Sequence, residues 1–188
     1  MIIIGVDSAI NRTGVAIYNS GHNAIIWSKQ ICPSKKFSFY EKLLYIKSEF
    51  QQIFQLCFDA KFIKVKNEIV VVAFEDQFLM SNRKVLKQLS MVRGVIQCMA
   101  MELWGINCVF VYTATAWRKV LGIKANRQIE NKKNRVQDLK NQAMRIAKRK
   151  SKVQLTTEDE AEAACIALAH LEILQGKENG KKVIAASN

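Results

Sequence analysis

A chain of 188 residues, 49% of them apolar, suits one domain that buries most of the surface its unfolded form exposes. We expect that domain over residues 1–176 and a loose tail over 177–188. No apolar run approaches the ~20 residues of a membrane-spanning helix, and MIIIGVD enters a strand pattern with no basic segment before it. This argues against a membrane span and leads us to expect a cytoplasmic protein. The net charge of +13 implies a field that gathers polyanions.

In chain order, Ile2 to Val6 form an apolar run broken by Asp7, and Thr13 to Tyr18 and Ala24 to Ile31 read as two further strands. The intervening turn residues favour an antiparallel meander, which Pro33 ends. Leu43, Leu44, Ile46, Phe50, Ile53 and Phe54 recur at helical spacing over 39–58. Ile69 to Phe74 return as a strand, ending in Glu75 and Asp76.

A long helix follows over 82–104, with Val85, Leu86, Leu89, Val92, Ile96, Met99 and Leu103 on one stripe. Met91, Val95, Ala100 and Trp104 widen that stripe toward a possible dimer face. Cys108 to Tyr112 suggest the last strand, and Thr115 to Leu121 a short turn or helix. A basic helix is expected within 124–152, then a final helix capped by Thr156 or Thr157, running to Gln175 and stopped by Gly176. The product is an α/β domain with a mixed sheet.

Three features carry chemistry. Thirteen of the 29 Lys and Arg lie between Arg118 and Lys152 against only Glu130 and Asp138, a local +11 that leaves +2 for the rest. Such a strip suits a phosphate backbone, although charge runs are often merely solvated faces. Asp7 and Glu75 each stand where an apolar strand should continue, which is costly unless the strand end is exposed or something pairs the charge. Asp159 and Glu162, three apart on a helix, share a face with Ile166 and Ala169, so they point inward, whereas Glu158 and Glu160 suit solvent and the favourable end of the helix dipole. Four converging carboxylates without basic partners are best explained by hard divalent cations, Mg²⁺ or Mn²⁺, two of which can hydrolyse a phosphodiester.

The remaining candidates read more blandly. Cys32, Cys57, Cys98, Cys108 and Cys165 lack a CxxC pair and are expected to be free thiols, with Cys98 and Cys165 buried. His22 and His170 are expected to be peripheral, and Trp117 a core anchor more than a base-stacking residue.

The order of elements resembles the RuvC family of Holliday junction resolvases. GVDSAINRTGVAI (5–17) is similar to the family's opening hairpin, with Ser8-Ala9 where bacterial members usually carry Pro-Gly, a departure that suggests a divergent, phage-type branch. VVAFEDQFL (71–79) resembles the strand ending in a catalytic Glu, here Glu75. DEAEAACIALAH (159–170) resembles the terminal D-x-x-D helix, with Asp159 in place and Glu162 substituting for the second Asp. WRKVLGI (117–123) and KKNRVQ (132–137) are similar to the regions whose basic residues assist at the scissile phosphate, which carries to Arg118 or Lys119 and to Lys133.

The resemblance implies an RNase H-like fold with a five-stranded mixed sheet and helices on both faces. It implies a metal-dependent endonuclease that resolves four-way DNA junctions, with Asp7, Glu75, Asp159 and Glu162 holding two Mg²⁺ or Mn²⁺ ions and Lys133 assisting. It also implies a homodimer, which we place on the helix over 82–104. Arg118, Lys119, Lys124, Arg127, Lys132 and Arg135 are expected to contact DNA, and Phe78, beside Leu79 and Met80, to help open the junction.

Three rivals remain. An ATPase of the actin and hexokinase superfamily would need about twice this length, and no GxxxxGK[ST] loop exists. An inactive DNA-binding accessory protein would keep the basic strip without needing all four acids. A branched-DNA nuclease acting on forks and flaps, or an RNase H-type enzyme, would keep the chemistry and change the substrate.

Overall fold

The computed structural model describes residues 1–59, 69–76 and 83–178. Five strands, β1 (Ile2–Asp7), β2 (Thr13–Asn19), β3 (Ala24–Ile31), β4 (Val70–Asp76) and β5 (Val109–Thr113), form one sheet in the order β3-β2-β1-β4-β5. The meander β1-β2-β3 is antiparallel, while β4 and β5 run parallel to β1. Five helices join and follow them: α1 (Phe39–Asp59), α2 (Arg83–Trp104), α3 (Ala114–Val120), α4 (Lys132–Arg149) and α5 (Glu158–Glu178). This is the mixed five-stranded α/β sheet the sequence predicts.

The side-chain period of two sorts β1 onto two cores. Ile2, Ile4 and Val6 pack with Ile46, Phe50 and Phe54 of α1 and Val92, Ile96 and Ala100 of α2. Ile3 faces the opposite way, among Ala163, Ala164, Ala167 and Ile166 of α5 and Ala143 and Ala147 of α4. Helices thus cover both faces.

The α5 face depends on small residues. In the ladders Gly5 lies between Ala16 and Ala73, and Gly14 stands opposite Asp7. A Cβ on Gly5 would lie 2.0 Å from the Ala163 carbonyl oxygen, and one on Gly14 2.0 Å from that of Asp159. The backbone of α5 therefore sits almost directly on the sheet, an approach any larger side chain would block.

Several boundaries differ from expectation. Helix α4 begins at Lys132, because the Asn131 side chain caps it by accepting from the backbone N–H groups of Lys133 and Asn134. Helix α5 continues through Gly176, which does not adopt the left-handed conformation that terminates helices; of the expected tail, residues 179–188 lie outside those described. A 3-10 turn, Ile106–Cys108, precedes β5. After α4, Ser151 bridges to Ile25 on edge strand β3, with the Ile25 N–H donating to the Lys150 carbonyl at 2.7 Å. In α2, Ala100 rather than Leu103 completes the buried stripe, and Cys98 is exposed because it lies on the far side of the helix. All five cysteines are free. Among the described residues no helix is long and apolar enough to cross a membrane.

Candidate metal centre and its basic surround

Asp7 is the last residue of β1 and Glu75 the penultimate residue of its parallel neighbour β4, each one step beyond the paired residues Val6 and Phe74. Parallel pairing puts both carboxylates at the same edge of the sheet. Because Gly14 lets the first turn of α5 descend onto that edge, Asp159 and Glu162 arrive above Asp7. One carboxylate oxygen from each of Asp7, Asp159 and Glu162 lies within 4.8 Å of the others.

Glu75 stands beside this trio rather than in it. The Trp117 indole N–H donates to its Oε2 at 2.7 Å, so the fully buried Trp117 is both the core anchor expected of it and a support for a site residue. Burial pushes the Glu75 carboxyl above the usual range and the negative charge of Glu162 adds to this, while the Trp117 hydrogen bond and the Arg118 charge oppose the rise. Asp7 is raised well above the ordinary value, first by burial and then by the charges of Glu162, Glu75 and Asp159, with the charge of Lys140 acting against them.

Each of the other acids has a specific partner. The Gln30 carboxamide, from β3, donates to Asp159. An Arg118 guanidinium N–H donates to Glu162 at 3.0 Å, while the same guanidinium lies 4.8 Å from the Trp117 ring centroid. Lys140 and Gln137 of α4 donate to Glu158 at 2.8 and 2.6 Å. Glu160 departs from its expected solvent position: it is buried, accepts from the backbone and hydroxyl groups of Thr156 and Thr157, and receives a cap in return as the Thr157 hydroxyl accepts the Glu160 N–H. Thr157 and Glu160 thus form a capping box, whose T-x-x-E spacing is visible in the sequence.

The basic residues divide into two groups. Arg118, rather than Lys119, reaches the acids, because side chains adjacent on the short helix α3 diverge by about 100°. On α4 it is Lys140, not singled out from the sequence, whose charge acts on Asp7, Asp159 and Glu162. Lys133 lies on the same stripe two turns earlier, about 10 Å along the axis at ~1.5 Å per residue, where it lines a shallow surface depression with Asn131, Lys132 and Val136. Lys119, Lys124 and Arg127 are exposed. Arg135 is half-buried and donates to the Glu130 carbonyl at 3.0 Å, tying down the turn before α4. Phe78, Leu79 and Met80 lie outside the described residues.

His22 is exposed, but His170 is buried rather than peripheral, its Nδ1 2.7 Å from the Tyr112 hydroxyl and its ring against Phe110. That is a packing role on α5, two turns beyond Glu162. A hard divalent cation fits the centre chemically. Three carboxylates present oxygen to one small volume, the donor set that hard divalent cations take.

No protein-family model matches the chain, and no curated protein matches it. Among solved structures the fold is similar to that of Thermus thermophilus RuvC in complex with a Holliday junction substrate, with a TM-score of 0.66 at 16% identity over 96% of this chain and 97% of that one. A further structure of Thermus thermophilus RuvC gives 0.63 at 17% identity, over 94% and 97% of the two chains. The yeast mitochondrial Holliday junction resolvase gives 0.53 at 14%, over 95% and 82%. Likeness at such identities is a likeness of fold, and it covers nearly the whole chain: this is the RNase H-like α/β fold of RuvC type.

Proposed function

We propose that this protein is a divalent-metal-dependent endonuclease that resolves four-way DNA junctions. The observation that carries the reading is the convergence of Asp7, Asp159 and Glu162 at one sheet edge, in a fold shared with a RuvC structure solved on a Holliday junction, beside a segment with a local charge of +11.

Asp7, Asp159 and Glu162, with Glu75 beside them, would hold Mg²⁺ or Mn²⁺, in one or two positions. When bound, such ions neutralise phosphate charge, increase the acidity of water and stabilise a departing oxygen. The chain's own residues set the geometry. Trp117 orients Glu75, Gln30 orients Asp159, and Glu160 fixes the first turn of α5 from which Asp159 and Glu162 project. Arg118 and Lys140 supply positive charge at the centre, while Lys133 and Lys132, with Lys119, Lys124, Arg127 and Arg135, extend it along the path of a phosphate backbone. Water adds to phosphorus opposite the departing 3′ oxygen, leaving 5′-phosphate and 3′-hydroxyl ends, and no protein side chain becomes covalently attached.

Paired cuts need two sites related by symmetry, and we assign the homodimer contact to α2. Leu103 and Ile106, at 48% and 77% exposed, continue its apolar surface outward. Trp104, by contrast, is occupied within the chain, its ring 4.8 and 5.8 Å from those of Phe54 and Phe58.

The direct test is cleavage of end-labelled four-way junction, fork and linear duplex in Mg²⁺, Mn²⁺ or EDTA, with Asp7→Asn and Glu162→Gln beside the wild type. Paired symmetric junction cuts that need metal and vanish in both variants are expected. Fork cutting of equal strength would make the enzyme a general branched-DNA nuclease. Binding to every DNA with no cutting in either metal would overturn the enzyme reading.

A further inference from the structure

Outside the basic strip the chain sums to only +2, yet that near-neutral sum conceals a compact cluster of cations and rings. The ladder aligns Asp7 with Gly14 and Thr13 with Ile31, so β3 ends at the same sheet edge as the carboxylates, two strand spacings or ~10 Å from β1. The chain then continues through Lys35, Lys36 and Phe37 into α1. Lys42 in the first turns of α1 donates to the Asn11 side chain at 2.8 Å, tying this region to the loop that follows Asp7. Arg12 is exposed on that same loop.

Two aromatic rings are accessible there, Tyr40 largely in solvent and Phe37 partly covered by Tyr45, whose ring lies 6.2 Å from it. Tyr40 is 68% exposed and Phe37 38%, and the Phe39 ring supports Tyr40 edge-on at 5.3 Å. Glu41, in the first turn of α1, is engaged in the helix cap, accepting from the Ser38 N–H at 2.6 Å. Exposed rings interleaved with cations match the faces and backbone of unpaired nucleotides, whose bases can stack where duplex bases are already covered. Helix α1 packs on the opposite sheet face from α4, so its rings and lysines lie away from the basic strip, while Arg12 links them to the acids, its charge acting on Glu158.

We propose that Phe37 and Tyr40, with Lys35, Lys36, Lys42 and Arg12, form a second nucleic-acid contact surface that takes unpaired nucleotides of a branched DNA as they leave the cleavage centre. This rests on the nuclease reading for its orientation, but it is tested by binding alone. Fluorescence anisotropy in EDTA would compare oligo-dT, a duplex of the same length and a fork with single-stranded arms, against wild type, Phe37→Ala/Tyr40→Ala and Lys35→Glu/Lys36→Glu.

The aromatic variant should lose about tenfold or more on oligo-dT and fork while holding duplex affinity within about twofold, the retained duplex binding serving as the folding control. The lysine variant should flatten the salt dependence of oligo-dT binding by about 1.4 in slope, ~0.7 for each lost contact. Equal losses on all three DNAs, no loss on any, or displacement of oligo-dT from wild type by polyglutamate at equal charge concentration would overturn the proposal. A wild type that binds and discriminates as described but never cuts would instead overturn the nuclease reading and leave this surface standing.

Discussion

Asp7 destabilises the metal-free protein at neutral pH. Its carboxyl is raised, so the folded state binds the proton more tightly than the unfolded chain, and stability falls as pH rises from the ordinary aspartate range through the folded value. Asp7→Asn should therefore abolish cleavage yet raise the melting temperature in EDTA by about 2–4 °C, equivalent to about 1 kcal/mol in a domain of this size. Differential scanning fluorimetry with and without Mn²⁺ checks this: the ion should stabilise wild type far more than the variant. Trp117→Phe keeps most of the ring but removes the indole donor, so the Glu75 carboxyl should rise further. The acid limb of the kcat/KM profile should then move to higher pH, while an unmoved limb would deny Trp117 any influence on Glu75. Asp7 and Glu75 were legible in the sequence because each interrupts an apolar strand, and Asp159 and Glu162 because they share a helix face with Ile166 and Ala169. Trp117, Gln30 and Lys140 break no pattern, so nothing but proximity in space marks them.

At the scale of elements, the placement of α5 on the sheet decides whether the acids meet. Gly14→Ala would put a methyl carbon 2.0 Å from the Asp159 carbonyl oxygen, and backbone atoms cannot swing aside as a side chain can. Urea unfolding should show a loss of about 1–3 kcal/mol, accompanied by weaker Mn²⁺ binding as Asp159 is lifted away from Asp7. Glu160→Gln removes the charge from the capping box and should cost about 1 kcal/mol. Burial pushes that carboxyl upward, but the Thr156 and Thr157 donors outweigh it and hold it below the usual range. Its contribution is thus present at neutral pH and lost as pH falls through the folded value, so variant and wild type should converge in acid. The strands and long helices were readable from periods of 2 and 3.6. Helix limits were less so: Gly176 reads as a stop in isolation, yet a glycine stops a helix only where the backbone turns left-handed.

For the whole molecule, the proposed dimer would govern whether cuts come in pairs. Leu103→Glu combined with Ile106→Glu places charge on the outer surface of α2 and the turn after it, and should yield a monomer by sedimentation velocity. That monomer should nick a junction on one strand at a time, whereas unchanged mass and paired cuts would move the interface elsewhere. The sequence alone determined the α/β architecture, the strand at whose end each strand-borne acid stands and the basic strip, because hydrophobic period and charge are local properties that survive projection onto one dimension. Tertiary structure decided which cation answers which acid: Arg118 over Lys119, Lys140 beside the centre with Lys133 two turns away, Trp117 beneath Glu75. Those choices depend on how closely α5 settles on Gly5 and Gly14, more than a hundred positions away in sequence, and on how α3 and α4 turn against it, distances of a few ångströms that no local pattern encodes.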